Sequence, residues 1–420
     1  MTDTQPQPRW IVRSRRLVVI LLSVVFVVLA VRAVSDVWTR RRLKAEIARL
    51  DKQYGPLQWD PVRKLDAWKN WPRRISAENR ARMLDAAAAR ITISDANAKL
   101  LYFPNTPSTM TADQVREIAD QNREAVQLAI RGARLQHSNW DITYVLEPSN
   151  VPNLMDHGYL RKVLVIAARN DADAGRADDA AADVMAVFAQ AAAIGSEPVP
   201  VMMVNANATV VEGVEALKDL LNRAQPSGAA LAALAAAIDE ILVAPPARAA
   251  MLGELKHSLF TWPWVEHGWL WGRRFLDYHT PEPPSAWMRG VAWAFRPVIR
   301  VMAMRDLADK ARAVDAASVA RSERDALAPT MPALGLINSA DVLTAQAGRA
   351  AVAVALRRFR LDHGAYPNTL DELAPTYLKT VPLDPFTARQ PEYVRSGDGF
   401  ELHARLPARA SGNWDWKVSR

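Results

Sequence analysis

The chain has 420 residues, 50% hydrophobic and 23% charged, a globular balance that excludes wholesale disorder and leaves room for two or three domains. It contains no cysteine, which excludes disulfides, thiol nucleophiles and thiolate metal sites. The net charge of +8 does not point to nucleic acid, because much of the excess sits in Arg9 to Arg16 and Arg40 to Lys44, beside an apolar segment, with no recognition motif alongside.

That segment is the first predicted element. Leu17 to Val31 carries no charge, and the run continues to Val34 with Arg32 placed to snorkel. Residues 17–34 are near the lower limit for crossing a hydrocarbon core of about 30 Å. They are read as a transmembrane helix that puts the chain in contact with the lipid bilayer. A cleaved signal peptide competes with this reading, since Val31-Arg32-Ala33 loosely resembles a small-x-small site. The length of the run and the place of Arg32 inside that site favour an uncleaved anchor. Residues 1–16 form a basic tail whose four Arg resist translocation, whereas large domains cross largely regardless of charge. The expected arrangement is a single pass through a bacterial inner membrane, with the bulk on the periplasmic side.

Residues 35–75 read as a juxtamembrane helix to about Lys52, stopped by Gly55-Pro56, followed by a linker rich in Trp and Pro (Trp59, Trp68, Trp71). Residues 76–335 read as an α-helical domain. Ser76 is placed to cap a helix over 77–92. Thr111-Ala-Asp-Gln114 is a capping box that starts the next one. Residues 157–194 read as a helical hairpin turning at Asn170 to Arg176, single and without a repeat of fixed period. Further helices are predicted over 201–223, 228–243, 247–260, 288–317 and 339–362, punctuated by prolines. The last part, 336–420, changes character: strands are predicted over 392–395, 400–403 and 414–418. The predicted fold class is therefore mainly α, ending in a small α+β domain.

Three clusters invite a chemical reading. Asp171, Asp173, Asp178 and Asp179 resemble the start of a calcium loop, but Arg176 and Ala182 stand where Gly and Glu are required, so a solvated acidic turn is expected. Glu254 and His257 share a helix face, with His267, Glu266 and Asp277 nearby, but the metalloprotease spacing is absent. Trp262, Trp264, Trp269, Trp271, Trp287 and Trp293 crowd one stretch, with Arg273 and Arg274. They fit core packing, membrane-surface contact or a partner interface.

In the tail, Arg357-Arg-Phe-Arg-Leu-Asp-His-Gly364, Tyr366-Pro367, Leu370, Leu373, Tyr377-Leu378, Val381-Pro-Leu-Asp384-Pro385-Phe386, Tyr393 and Gly397-Asp-Gly399 form a specific string. From Leu343 onward the chain resembles the globular domain of the major pseudopilins of type II secretion. The helix-rich middle is similar to bacterial membrane-anchored proteins that end in the same tail. The resemblance implies a long helix with a small sheet folded onto it. It does not extend to the processing site, since Arg16 leads straight into Leu17. Residues 35–335 separate span and tail, and Ala408 to Asn413 replaces the acidic calcium loop. The expectation is an envelope protein without enzymatic activity, acting through protein–protein interaction in a secretion- or pilus-related assembly. An envelope hydrolase using Glu254 and His257, or a ligand-sensing module, are the alternatives. No catalytic, cofactor-binding or metal-ligating residue is expected.

Overall fold

The computed structural model describes residues 9–54, 79–94, 97, 110–140, 143–144, 148–149, 152–197, 199–243, 250–255, 258, 262, 286–317, 334–403 and 415–419. The chain is mainly helical, with one long apolar N-terminal helix and a small three-stranded sheet near its end. It divides into two compact units, residues 1–62 with 255–309 and residues 63–254 with 310–420.

In the first unit, α1 runs unbroken over Arg9–Tyr54, several residues longer at its start than the sequence suggests. Every side chain from Val18 to Val31 is exposed, and the helix is long and apolar enough to cross a membrane. Val-rich runs have only modest helix propensity in water, so this stretch needs an apolar surrounding to hold its shape. Beyond it the covered positions recur at three and four residues: Arg32, Asp36, Thr39, Leu43, Glu46 and Leu50. Such spacing is that of a stripe facing another helix.

A second helix, α9 (Ala286–Ala316, numbered in chain order), meets this stripe. The Arg32 guanidinium donates to the carbonyl of Trp293 and lies over its ring, 3.5 Å from the centroid. Arg300, 2% exposed, donates to the Asp36 carbonyl at 2.8 Å and to its Oδ1 at 3.0 Å.

The second unit opens with α2 (Arg80–Ala88), α3 (Ala112–Gln121) and α4 (Arg123–Ala133). The expected capping box at Thr111 is present, with Gln114 N donating to Thr111 Oγ1 and Thr111 N to Gln114 Oε1. The helix it starts breaks at Asn122, a break the hydrophobic spacing does not reveal. Asn122 is buried and exchanges two hydrogen bonds with the backbone of Thr92. A two-residue ribbon follows, β1 (Thr143–Tyr144) against β2 (Pro148–Ser149).

The body is a set of antiparallel neighbours in sequence: α5 (Leu154–Asp173), α6 (Ala177–Gly195), α7 (Pro200–Arg223) and α8 (Gly228–Val243). The predicted hairpin is α5–α6. It turns on Gly175, whose φ of 77° suits a left-handed helix stop, with Arg176 N donating to the Asp171 carbonyl. α6 touches α4, α5, α7 and α8, so its Ala-rich sequence is buried nearly all round. At Gly213 of α7 a Cβ would come within 3.1 Å of Val187, which marks how close α6 and α7 run.

Helix α10 (Leu334–His363) extends the predicted 339–362 and occupies the centre of this unit. The apolar face Leu343, Ala347, Ala350, Ala351 and Val354 is buried, with Phe359 partly buried beyond it, and the rest of the circumference from Ala345 to Arg357 is buried too. α7 and α8 pack against it. The predicted boundary near 335–340 thus lies inside the second unit.

The tail then folds as its sequence suggests locally. Strands β3 (Glu392–Ser396), β4 (Gly399–His403) and β5 (Trp416–Val418) pair antiparallel in that order. The β3–β4 loop is Gly397-Asp398, with Gly397 at φ 55°. A Cβ on Gly399 would fall 1.9 Å from the Val418 carbonyl, so only glycine permits the β4–β5 pairing. Asp384 acts locally between its two prolines, accepting from Phe386 N at 2.7 Å. Pro382 lies against α10 where Gly348 leaves room.

Candidate functional site

The acidic turn is neutralised by arginine. Arg176 pairs with Asp171; Arg169 and Arg223 hold Asp173 at 2.7 and 3.1 Å; Asp178 accepts from Ser227 N. Asp171, Asp173 and Asp178 are thus engaged by the protein, and Asp179 lies 3.9 Å from the Arg176 guanidinium. Glu254 pairs with Lys310 at 3.4 Å. His257, Glu266, His267 and Asp277 lie outside the described residues, as do the Trp/Pro linker, Trp264, Trp269, Trp271, Arg273, Arg274 and Ala408 to Asn413. Of the tryptophan cluster, Trp262 is half-buried and donates to Asp306 at 2.8 Å, whereas Trp287 and Trp293 are exposed. No group of three or more His, Asp or Glu among the described residues has the arrangement of a metal site.

The structure assembles a polar cluster that sequence spacing does not expose. His157, on the first turn of α5, is 2% exposed. Its Nε2 lies 2.8 Å from Asp85 Oδ1, and its Nδ1 lies 3.2 Å from Gln190 Nε2. Gln190 Nε2 also donates to the His157 carbonyl at 2.9 Å. A carboxylate oxygen thus faces one ring nitrogen and an amide N–H the other, which orients the ring with Nε2 toward Asp85 and Nδ1 toward Gln190. Trp140 packs edge-on against it, 5.0 Å between centroids, and donates its own N–H to the Ala193 carbonyl.

An imidazole beside a carboxylate is the core of many general-base sites. Here the acceptor nitrogen that would take a proton is covered by Gln190. The cluster therefore joins α2, α5 and α6 rather than presenting a base to a ligand.

Asp183 lies two turns before Gln190 on α6 and is 1% exposed. Burial pushes its carboxyl well above the ordinary carboxylate range, helped by the negative charges of Asp171 and Asp179. Its Oδ2 has no hydrogen-bond partner among the described residues. That environment favours the neutral, protonated form of the side chain.

The sequence signal for both was available in one place. Asp183 and Gln190, seven residues apart, are polar on one face of the stretch Ala180 to Ala193, which is otherwise built from Ala, Val, Met and Phe. Polar side chains on a helix buried all round must find partners or neutralise.

α7 presents the opposite anomaly, apolar residues left outside. Val201, Val204, Ala208 and Val211 recur at helical spacing and are all exposed. Ion pairs between α5 and α7 (Arg161–Glu212, Arg169–Asp219, Asp173–Arg223) rise together in number, so the two helices run in the same direction. Their offset of about 50 residues sets Met155, 56% exposed, level with Val204.

No protein-family model, curated protein or solved structure matches the chain.

Proposed function

We propose that the protein is a membrane-anchored envelope protein that acts by binding another protein. α1 is its single-pass anchor, and the bulk stands on the periplasmic side of a bacterial inner membrane. The observation that carries the binding role is the apolar stripe Val201, Val204, Ala208 and Val211 with Met155 beside it. Stiff β-branched side chains on a helix lose little entropy when covered, and the ion pairs Arg161–Glu212 and Arg169–Asp219 between α5 and α7 follow the end of the stripe. The stripe runs over eleven residues, a rise of about 15 Å, which suits one apolar face of a partner helix.

Support for an uncleaved anchor comes from Arg32, which is tied to Trp293 and would be removed by cleavage after Ala33. Four Arg before the span favour the stated orientation. A secretion- or pilus-related assembly is the finer reading. It rests on the tail's residue string and on its order of long helix, 3-10 turn at Leu370–Leu373 and antiparallel strands.

The test is photocrosslinking from Val204 in intact cells, with exposed Arg116 on α3 as the control position. A discrete protein adduct at Val204, absent at Arg116 and lost on Val201→Glu, is expected. Identical patterns at both positions, or an adduct indifferent to Val201→Glu, would overturn the binding role.

A further inference from the structure

Helix α9 is amphipathic in the sense opposite to a soluble protein's. Its outward row over the first half is Trp287, Ala294, Phe295, Val298 and Met302, all exposed, with Trp287 at 74%. Its inward row carries Arg296 and Arg300 among buried Ala292, Ile299, Ala303 and Leu307. Arg289 near its start is exposed; beyond it the helix turns apolar groups out and the guanidinium groups of Arg296 and Arg300 in.

The inversion has a sharp end. Arg305 lies eighteen residues, five full turns, beyond Trp287 and so falls on the same row. It is exposed, and so is Asp309 a turn later. The outward face is thus apolar to Met302 and charged from Arg305. α1 makes the same change between Trp38 and Arg40, both exposed.

The two changes occur at one level. Arg32 reaches residue 293, an offset of 261, and Asp36 is reached by residue 300, an offset of 264. Both numbers rise together, so the helices run in the same direction. Met302 and Arg305 consequently lie level with about residues 37–39 of α1. Between the two contacts α1 advances four residues, about 6 Å, while α9 advances seven, about 10.5 Å, so α9 is inclined to α1. Followed back, Trp287 lies about one turn of α1 deeper than Arg32.

We propose that residues 286–302 are a second membrane-contacting element, an oblique interfacial helix whose outward face rests in the acyl boundary of the leaflet nearest Arg32. This rests on the reading of α1 as an anchor. Trp293, level with Arg32, and Trp287, deeper still, lie below the change at Met302 and Arg305, on the acyl side of the boundary, and the Arg32 guanidinium lies over the Trp293 ring. Arg289, Arg296, Arg300 and Arg305 occur with no acidic residue between 286 and 305, so the surface it fits is an anionic phospholipid one. Ionisable groups at such depth turn toward protein, as Arg300 does toward Asp36.

The chain contains no cysteine, so single-Cys variants carry one label each. The full chain is reconstituted in phosphatidylethanolamine–phosphatidylglycerol vesicles, with a nitroxide on Val25→Cys, Phe295→Cys, Val298→Cys, Met302→Cys or Asp309→Cys in turn. Accessibility to oxygen, which enriches in lipid, is compared with that to a water-soluble nickel chelate. The expected result is an oxygen-dominated ratio at 295, 298 and 302, shifted toward that of Val25, and a nickel-dominated ratio at 309. Nickel access at 298 equal to that at 309, with Val25 still lipid-exposed, overturns the proposal alone. Nickel access at both Val25 and Val298 overturns the anchor and the proposal together. Low access to both reagents at 298 means that protein covers the face, which also overturns it.

Discussion

Replacing Trp416 by Ala tests whether the tail and the helical body are one cooperative structure. Trp416 is fully buried in β5, and β5 packs on α7. Asn222 of α7 donates to the Lys417 carbonyl at 3.1 Å and accepts from Ser419 N at 3.1 Å. Arg357 of α10 donates to the Leu221 carbonyl. Truncating an enclosed Trp typically costs about 3–5 kcal/mol. Part of that is returned here, because the indole N–H has no partner among the described residues and an unsatisfied buried donor costs about 1–3 kcal/mol. The expected net loss is about 2–3 kcal/mol. Trp416→Phe keeps most of the volume and deletes the orphan N–H, so it should stay within about 1 kcal/mol of the parent. Val394→Ala, at an exposed strand position, should change stability by less than about 0.5 kcal/mol. Denaturant unfolding of the full chain in detergent gives the magnitudes, and hydrogen exchange in α7 gives the coupling. Faster exchange over Pro200–Arg223 in Trp416→Ala is expected. If α7 keeps its protection while the tail loses it, the tail is a separate folding unit and the reasoning fails.

Asp183→Asn should remove a pH dependence. Asp183 is neutral in the fold and ionises readily when unfolded, so its contribution is intact below the ordinary carboxylate value. It is lost as pH rises from there through its elevated folded value, at about 1.4 kcal/mol per pH unit. Unfolding midpoints of parent and variant across pH 4–7 should diverge in that direction, and parallel curves would refute a neutral Asp183. His157→Leu should cost about 1–3 kcal/mol by stripping Asp85 and Gln190 of their partner, and adding Gln190→Leu should recover part of it. Strict additivity in the double-mutant cycle would dissolve the cluster as a unit. Alkaline phosphatase fused after Arg420 should be active and a cytoplasm-dependent reporter silent; the reverse pattern inverts the orientation.

Local features of the fold were legible and long-range ones were not. The Thr111 box and the Gly175 turn depend on residues within five positions of each other. The β3–β4 hairpin is similarly announced by Gly397-Asp-Gly399. His157, by contrast, draws Asp85 from 72 residues upstream and Gln190 from 33 downstream, and no spacing rule joins them. α10 was misleading for a physical reason. Gln346, Arg349 and Arg357 look like a solvated face, and all three are buried. Burial lowers Arg349 to about 10, with Asp384 and Asp415 opposing the fall, so the guanidinium remains charged at neutral pH. A polar row marks solvent only when no second layer covers it, and that layer, α7 and α8, comes from residues far away in the chain.

The same limit explains why hydropathy finds α1 and passes over α9. A window average adds Arg289, Arg296 and Arg300 to Trp287, Phe295 and Val298 and reports a middling helix. The average discards direction, yet direction decides what a surface meets. In a soluble protein the charged row of a helix faces water and the apolar row faces the core. On α9 the core side holds Arg300 against Asp36, while the outer side is apolar up to Met302 and charged from Arg305. Water is the wrong solvent for that outer face. A boundary that lies at the same level on α1 and α9 is what a single planar interface would impose on both helices.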